Sequence, residues 1–421
     1  MLAKLKNLLE KDGFIMTARK LARFARDELA ARLARPGEEL DALLDEIAAG
    51  DYRRILVRRG SFGYHTPLFQ RAQQLALALA RKDCLVLYEA AAPHERVSGA
   101  ERIAPRLWLV NLRSARVRRR IEEAVEQSRK PRYVLFASPE SRLSSALLRD
   151  YAKRGYGLIY DYIDALSAEI SGTKHIARGS LALYRFAMRG DYVLVLASSL
   201  ALLRDARSHK RWEDVLLIEN GVDCAHFSTI GACPEDPRFL KLLSRGKPIV
   251  CYYGALARWL DYDALRAIVR DGRFSLLLIG VKYDGSFDSA LQGCDDLCFL
   301  GPKPYAELKD YAARCDVLLV PFRSGEVGDA ASPVKLFEYL ALGKPVVAGD
   351  TAECRRCKSA LIARGSEDYI RCIEEALTLS KSRLYRLRAQ QEARRADWLC
   401  RAETLCRALA AREGRKNFTI F

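Results

Sequence analysis

The chain has 421 residues, half of them hydrophobic, and a formal net charge of +17 at neutral pH. That length is too great for one hydrophobic core and suits two. No apolar run approaches the roughly 18 residues of a membrane-crossing helix. The first leucines are interrupted by charges, unlike a secretory signal, and twelve cysteines in so long a chain read as reduced cytosolic thiols rather than a disulfide framework.

In chain order, residues 1–50 read as a basic helical extension broken at Arg35-Pro36-Gly37. Leu2, Leu5, Leu8 and Leu9 form one apolar stripe, and Phe14, Ile15, Ala18, Leu21 and Phe24 another. Residues 1–35 hold nine basic against four acidic side chains, leaving +5. Residues 381–421 hold eleven against four, leaving +7. Such a balance implies an anionic partner. Basic amphipathic helices lie in membrane interfaces, although the same stripes packed on protein would leave the charges merely solvated. Nucleic acid is disfavoured: the basic residues lack interleaved aromatics, and no recognition motif is present.

Residues 51–228 read as an α/β domain. A strand at 54–58 leads into Gly60-Ser-Phe-Gly63, and Thr66 before Pro67 marks a helix start. Further strands are expected at 84–88, 107–112, 133–137, 157–160, 193–197 and 215–218. Residues 229–247, with Gly231, Pro234, Pro237 and Gly246, read as a linker. Residues 248–393 form a second α/β domain, with strands at 248–253, 276–279, 297–300, 317–320 and 345–348. Residues 394–421 read as a helix returning to the first domain, followed by a basic tail. Strands alternating with helices mean parallel sheets with crossovers. Ligands then bind at the carboxyl ends of the strands, here in a cleft between two facing sheets.

The segment Ser332-Pro-Val-Lys-Leu-Phe-Glu-Tyr-Leu-Ala-Leu-Gly-Lys-Pro-Val-Val-Ala348 is the most informative. Pro333 suits a first helical turn, Leu336, Phe337, Leu340 and Ala341 give an apolar face, and Gly343 with Pro345 ends the helix. The helix start offers free N–H groups and a positive dipole end to an anion. Lys335 adds a full charge where dipole logic alone would place an acid. Glu338 follows one turn later on a similar face. Phosphate-binding groups followed by a carboxylate suit a nucleotide-sugar. Two other spacings are weaker. Asp261-Tyr-Asp263 has an Asp-x-Asp spacing but opens a predicted helix, where capping alone favours Asp. Cys354-Arg-Arg-Cys357 and the Cys294 and Cys298 pair lack histidine partners, since no His lies beyond residue 226.

The segment from Pro333 to Val347 resembles the donor-site helix of bacterial glycosyltransferases of the GT-B fold, those of family 4 or group 1 that build surface polysaccharide or teichuronic-acid-type polymers. Tyr160-Asp-Tyr-Ile-Asp164, Glu219-Asn-Gly-Val-Asp223 with His226-Phe227, Tyr252-Tyr-Gly254, Phe299-Leu-Gly301 and Asp316-Val-Leu-Leu-Val-Pro321-Phe322 are similar to other segments of these enzymes, in the same order. Glu219 stands where proline is usual. The resemblance implies two facing Rossmann-like domains and sugar transfer from a nucleotide-diphosphate sugar to a lipid-linked or polysaccharide acceptor. It implies work without metal or other cofactor, on the cytoplasmic side of a membrane. Donor contacts would come from Gly254, Arg258, Gly280, Pro302, Ser332, Pro333, Val334, Lys335 and Glu338. Lys335 and backbone N–H groups would neutralise the leaving diphosphate, and Glu338 would hold donor hydroxyls. Asp164 or His65 would serve as base or orienting group, with Gly63, Gln70, Arg71 and Asp161 on the acceptor side. Many family members carry an acid eight residues before the Glu338 position. Ala330 stands there, with Glu326 and Asp329 nearby, so stereochemistry stays open. An epimerase of the same fold and a catalytically inactive scaffold are the competing readings.

Overall fold

The computed structural model describes residues 22–414 except 24, 35–36, 67–68, 93, 139–141, 168–175, 295–296, 326–327 and 329–331. The apolar stripes expected at 2–24, and the residues Glu326, Asp329 and Ala330, therefore lie outside the described residues.

Runs of Val, Ile, Leu and aromatic residues form strands buried on both faces, as covered parallel sheets require. The first sheet contains β1 (Arg54–Arg58), β2 (Cys84–Glu89), β3 (Ala100–Ala104), β4 (Leu107–Val110), β5 (Arg132–Ala137), β6 (Gly157–Tyr162), β7 (Val193–Ala197) and β8 (Val215–Leu217), in the order β3-β4-β2-β1-β5-β6-β7-β8. Only β3 runs antiparallel, against β4. The sequence reading missed β3 because it is a polar edge strand, Ala-Glu-Arg-Ile-Ala. It turns into β4 through Pro105 and Arg106, the latter at φ 61°. The second sheet contains β9 (Ile249–Tyr253), β10 (Ser275–Ile279), β11 (Cys298–Phe299), β12 (Val317–Val320), β13 (Val346–Gly349) and β14 (Ala360–Ala363), all parallel in the order β11-β10-β9-β12-β13-β14. The missed β14 is a short, mostly half-buried edge strand.

Both sheets reverse direction of winding beside their first strand, at β1/β5 and at β9/β12. Crevices open at such switch points, outside the carboxyl ends of the strands.

The domain edges are less separate than the sequence suggests. Within 1–50, helix Glu38–Ala49 puts Leu40, Leu43 and Ile47 into the first core. Within the expected linker, helix Pro237–Leu243 is capped by Asp236 and buries Phe239 and Leu242 in the second core. The chain leaves the first domain at Val222, whose N–H donates to Ala396 and whose carbonyl accepts from Trp398. Helix Arg383–Arg395 packs on helix Val334–Ala341. Helix Trp398–Gly414 then lies on helix Arg71–Ala80, with Trp398, Ala402, Leu405 and Leu409 in a first-domain core. Among the described residues no helix is long and apolar enough to cross a membrane.

Candidate functional site

The second-domain side of the site begins where β9 and β10 end. Gly254 and Gly280 follow these strands at φ 149° and 145°, a region only glycine enters without strain. A Cβ on Gly280 would lie 1.8 Å from the Gly254 carbonyl oxygen, and one on Gly254 would lie 3.0 Å from Lys335 Cε. Two bare backbones thus meet directly under the Lys335 stem. The Gly280 N–H donates to Gly301, and Pro302 follows, exposed, on the same rim.

Helix Val334–Ala341 starts over this floor, with Pro333 in the N-cap position and no side-chain cap on its first N–H groups. The Ser332 carbonyl accepts from Asn220 Nδ2 at 2.6 Å, so the first domain fixes the helix entry. Burial pulls the Lys335 ammonium below the usual lysine range, opposed by the nearby Glu338 carboxylate. Positive backbone dipoles and one desolvated lysine therefore converge at a glycine-floored switch point, the kind of groups that suit an anion.

Glu338 is more enclosed than expected, 2% exposed. Its Oε2 accepts from the Tyr253 hydroxyl at 2.7 Å, and the Tyr305 hydroxyl also bonds it. Burial raises its pKa, while Lys335 and the two hydroxyls oppose the rise. Tyr305 receives a 2.6 Å hydrogen bond from Gln74 of the first domain. Its ring stacks on His226 at 5.0 Å and meets Phe69 at 4.9 Å. Sequence reasoning missed Tyr305 and Gln74. Only Pro304, ahead of helix Tyr305–Ala312, hinted that Tyr305 sits at a helix start.

Arg258 is half exposed and already paired with Asp284 at 3.3 Å. Its charge is taken up by the neighbouring loop after β10, which weakens the donor role expected for it.

On the first-domain side, Asp164 lies two residues past the end of β6. The Ser138 hydroxyl accepts from the Ile163 and Asp164 N–H groups and donates to the Asp164 carbonyl. Burial pushes the Asp164 carboxyl up to about 6, with Arg71 lowering it and Asp161 raising it. A carboxylate titrating there suits proton transfer near neutral pH.

Asp161 requires a correction. The expected strand ended at 160, but β6 runs to Tyr162 and encloses it. Asp161 and Arg71 form a buried ion pair at 2.7 Å, each side chain 2% exposed. Arg71 also donates to the Ile218 carbonyl at 2.7 Å and to Asn220 Oδ1 at 3.2 Å, and lies 6.0 Å from the Trp398 ring. These two residues form a structural hub under the cleft rather than an acceptor contact. Gln70 caps helix Arg71–Ala80 in a reciprocal box with Gln73. Gly63 is packed, since a Cβ there would sit 2.5 Å from Ala92 and 2.8 Å from Glu95 Oε2. His65 is half exposed, with Nε2 3.7 Å from Glu101 and its N–H donating to Glu95. It therefore faces the β3 edge cluster.

The Asp-x-Asp spacing is a helix start. Asp261 accepts from Ala264 N and Ser366 Oγ, and Asp263 pairs with Arg266 and with Arg323 at 3.6 Å. Cys354 and Cys357 are buried free thiols. Among the described residues no three His, Cys, Asp or Glu side chains gather as a metal-holding group.

Residues 247–378 match the family described as "Glycosyl transferases group 1". The chain is 26% identical over 258 residues to the Bacillus subtilis (strain 168) protein described as "Putative teichuronic acid biosynthesis glycosyltransferase TuaH", a match spanning 58% of this chain and 64% of that protein's length. Among solved structures, Anabaena Alr3699/HepE in complex with UDP and glucose superposes with TM-score 0.56 at 16% identity, covering 86% of this chain and all of that one. WaaG, a glycosyltransferase involved in lipopolysaccharide biosynthesis, gives 0.56 at 14% identity over 83% of this chain and 98% of its own. The trehalose-6-phosphate synthase OtsA gives 0.59 at 10% identity over 85% and 99%. The fold is GT-B, and residues 247–378 of its second domain carry the match to the group 1 glycosyltransferase family.

Proposed function

We propose that this chain is a glycosyltransferase that moves a sugar from a nucleotide-diphosphate sugar to a lipid-linked or polysaccharide acceptor in cell-surface glycan synthesis. The observation that carries the reading is the Lys335 ammonium, held with the uncapped helix start at 332–334 above the Gly254 and Gly280 backbones. Such an arrangement stabilises the charge that gathers on a departing diphosphate. The relative described as a teichuronic acid biosynthesis glycosyltransferase supports a cell-envelope role, and the UDP-bound neighbour supports a nucleotide-sugar donor. Incubating the protein with UDP-, GDP-, ADP- and TDP-sugars should release free nucleoside diphosphate from at least one, even without acceptor. A folded protein that hydrolyses none of them would support the scaffold reading instead.

The Lys335 ammonium and the helix-start N–H groups would supply the neutralisation that a divalent ion gives elsewhere, so turnover is proposed to persist in EDTA. Complete loss on chelation, restored by Mn²⁺ or Mg²⁺, would reject this.

Asp164 is proposed as the acceptor base. Its elevated folded pKa, about 6, has two consequences. Rate should rise with pH through about 6 as the carboxylate forms, and Asp164→Asn should lower turnover about 100-fold and remove that limb. In stability the sign is opposite. A carboxyl raised above its unfolded value favours the fold fully below about 3.9, a contribution lost as pH climbs through about 6. Asp164→Asn should therefore flatten the stability profile between those values, measured by melting across pH. An unchanged rate profile would remove Asp164 from the mechanism.

A further inference from the structure

Helix Arg383–Arg395 has one face packed and one face bare. Ala389 and Ala393 are buried, the Tyr385 hydroxyl donates to the Ser359 carbonyl, and the Arg386 stem lies against Gly343. At about 100° per residue, the opposite face centres on Leu384, Leu387 and Gln391. Leu384 is 57% exposed and Leu387 52%. Arg388 and Arg395 flank these leucines on one side, Arg383 and Arg394 on the other, all exposed. Among the described residues none of these four guanidiniums makes an ion pair. The helix's one carboxylate, Glu392, is occupied by the Lys358 and Ser359 N–H groups.

Two apolar side chains at the apex of a helix with unpaired cations along both edges match the pattern that lies flat in a lipid headgroup layer. The leucines enter the acyl boundary while the arginines reach phosphates on either side. A folded protein partner with a hydrophobic pocket would need leucine contacts but has no need of cations on both flanks.

We infer that the outer face of helix Arg383–Arg395 is a docking surface for an anionic membrane leaflet. The inference deepens the acceptor-side part of the proposed function and does not depend on sugar transfer. Because the helix packs on Val334–Ala341, docking sets the donor helix directly behind the contact.

The test is co-sedimentation of the full chain with vesicles of equal parts phosphatidylglycerol and phosphatidylcholine, against phosphatidylcholine alone, at low and high salt. Binding to the anionic vesicles at low salt, weakened by salt, is expected. The double substitutions Leu384→Ser with Leu387→Ser, and Arg388→Glu with Arg395→Glu, should each lower partitioning at least about tenfold. Melting temperature and nucleotide-induced thermal shift should stay at wild-type values, because these side chains touch neither core nor cleft. No binding by the wild type, equal binding to neutral vesicles, or unchanged binding by both folded variants would overturn the inference. Nucleotide-sugar hydrolysis is read separately, so failure here leaves the transferase reading standing, and the reverse.

Discussion

Replacing Arg71 by alanine is expected to destabilise the protein by about 3–5 kcal/mol, the usual consequence of leaving one member of a buried ion pair unpaired. Asp161 would remain in β6, 2% exposed, with its charge uncompensated. The Ile218 carbonyl and Asn220 Oδ1 would lose their donor in the same step. Asn220 in turn holds the Ser332 carbonyl, so the damage should reach the donor helix start. Arg71→Lys keeps the charge but lacks the planar fork and should recover only part of the loss. Urea denaturation of the two variants checks this. A midpoint for Arg71→Ala matching wild type would show that the hub is dispensable.

Lys335→Ala is expected to lower turnover by about 10²–10³-fold, the scale seen when one preorganised donor to a developing anion is removed. Donor affinity should also weaken by about 1.5–3 kcal/mol, typical of a charge-assisted contact. The net change in stability should be small, because relief of the ammonium's desolvation offsets the loss of Glu338's nearby counter-charge. Steady-state nucleotide release, with calorimetric donor titration, separates the two effects. A folded variant with wild-type rate and affinity would remove Lys335 from the site.

The strands and the donor helix were legible because their signals are local. Pro333, Gly343 and Pro345 punctuate the helix, and runs such as Val317–Val320, bounded by turn residues, read as buried strands. The two missed strands, β3 and β14, are edges, where half-exposed faces blur alternation. Lys335, Gly254 and Gly280, singled out from spacing and resemblance, do meet in one place. Asp161 was misplaced because a one- or two-residue error in a strand end decides whether a carboxylate faces solvent or sheet. Tyr305 and Gln74 escaped because their roles exist only across the domain interface, 231 residues apart in sequence. Arg258 looked available until Asp284 arrived from the loop after β10. Pairing partners brought by tertiary structure are invisible to any local pattern.

We propose that the cleft holds a nucleotide-diphosphate sugar on the 332–335 helix start. Thermal shift of the wild-type protein and Lys335→Ala against UDP-, GDP-, ADP- and TDP-sugars tests it most directly. At least one donor should raise the wild-type melting temperature in EDTA, and Lys335→Ala should lose most of that rise while staying folded. No shift with any donor, or the same shift in both proteins, would contradict it.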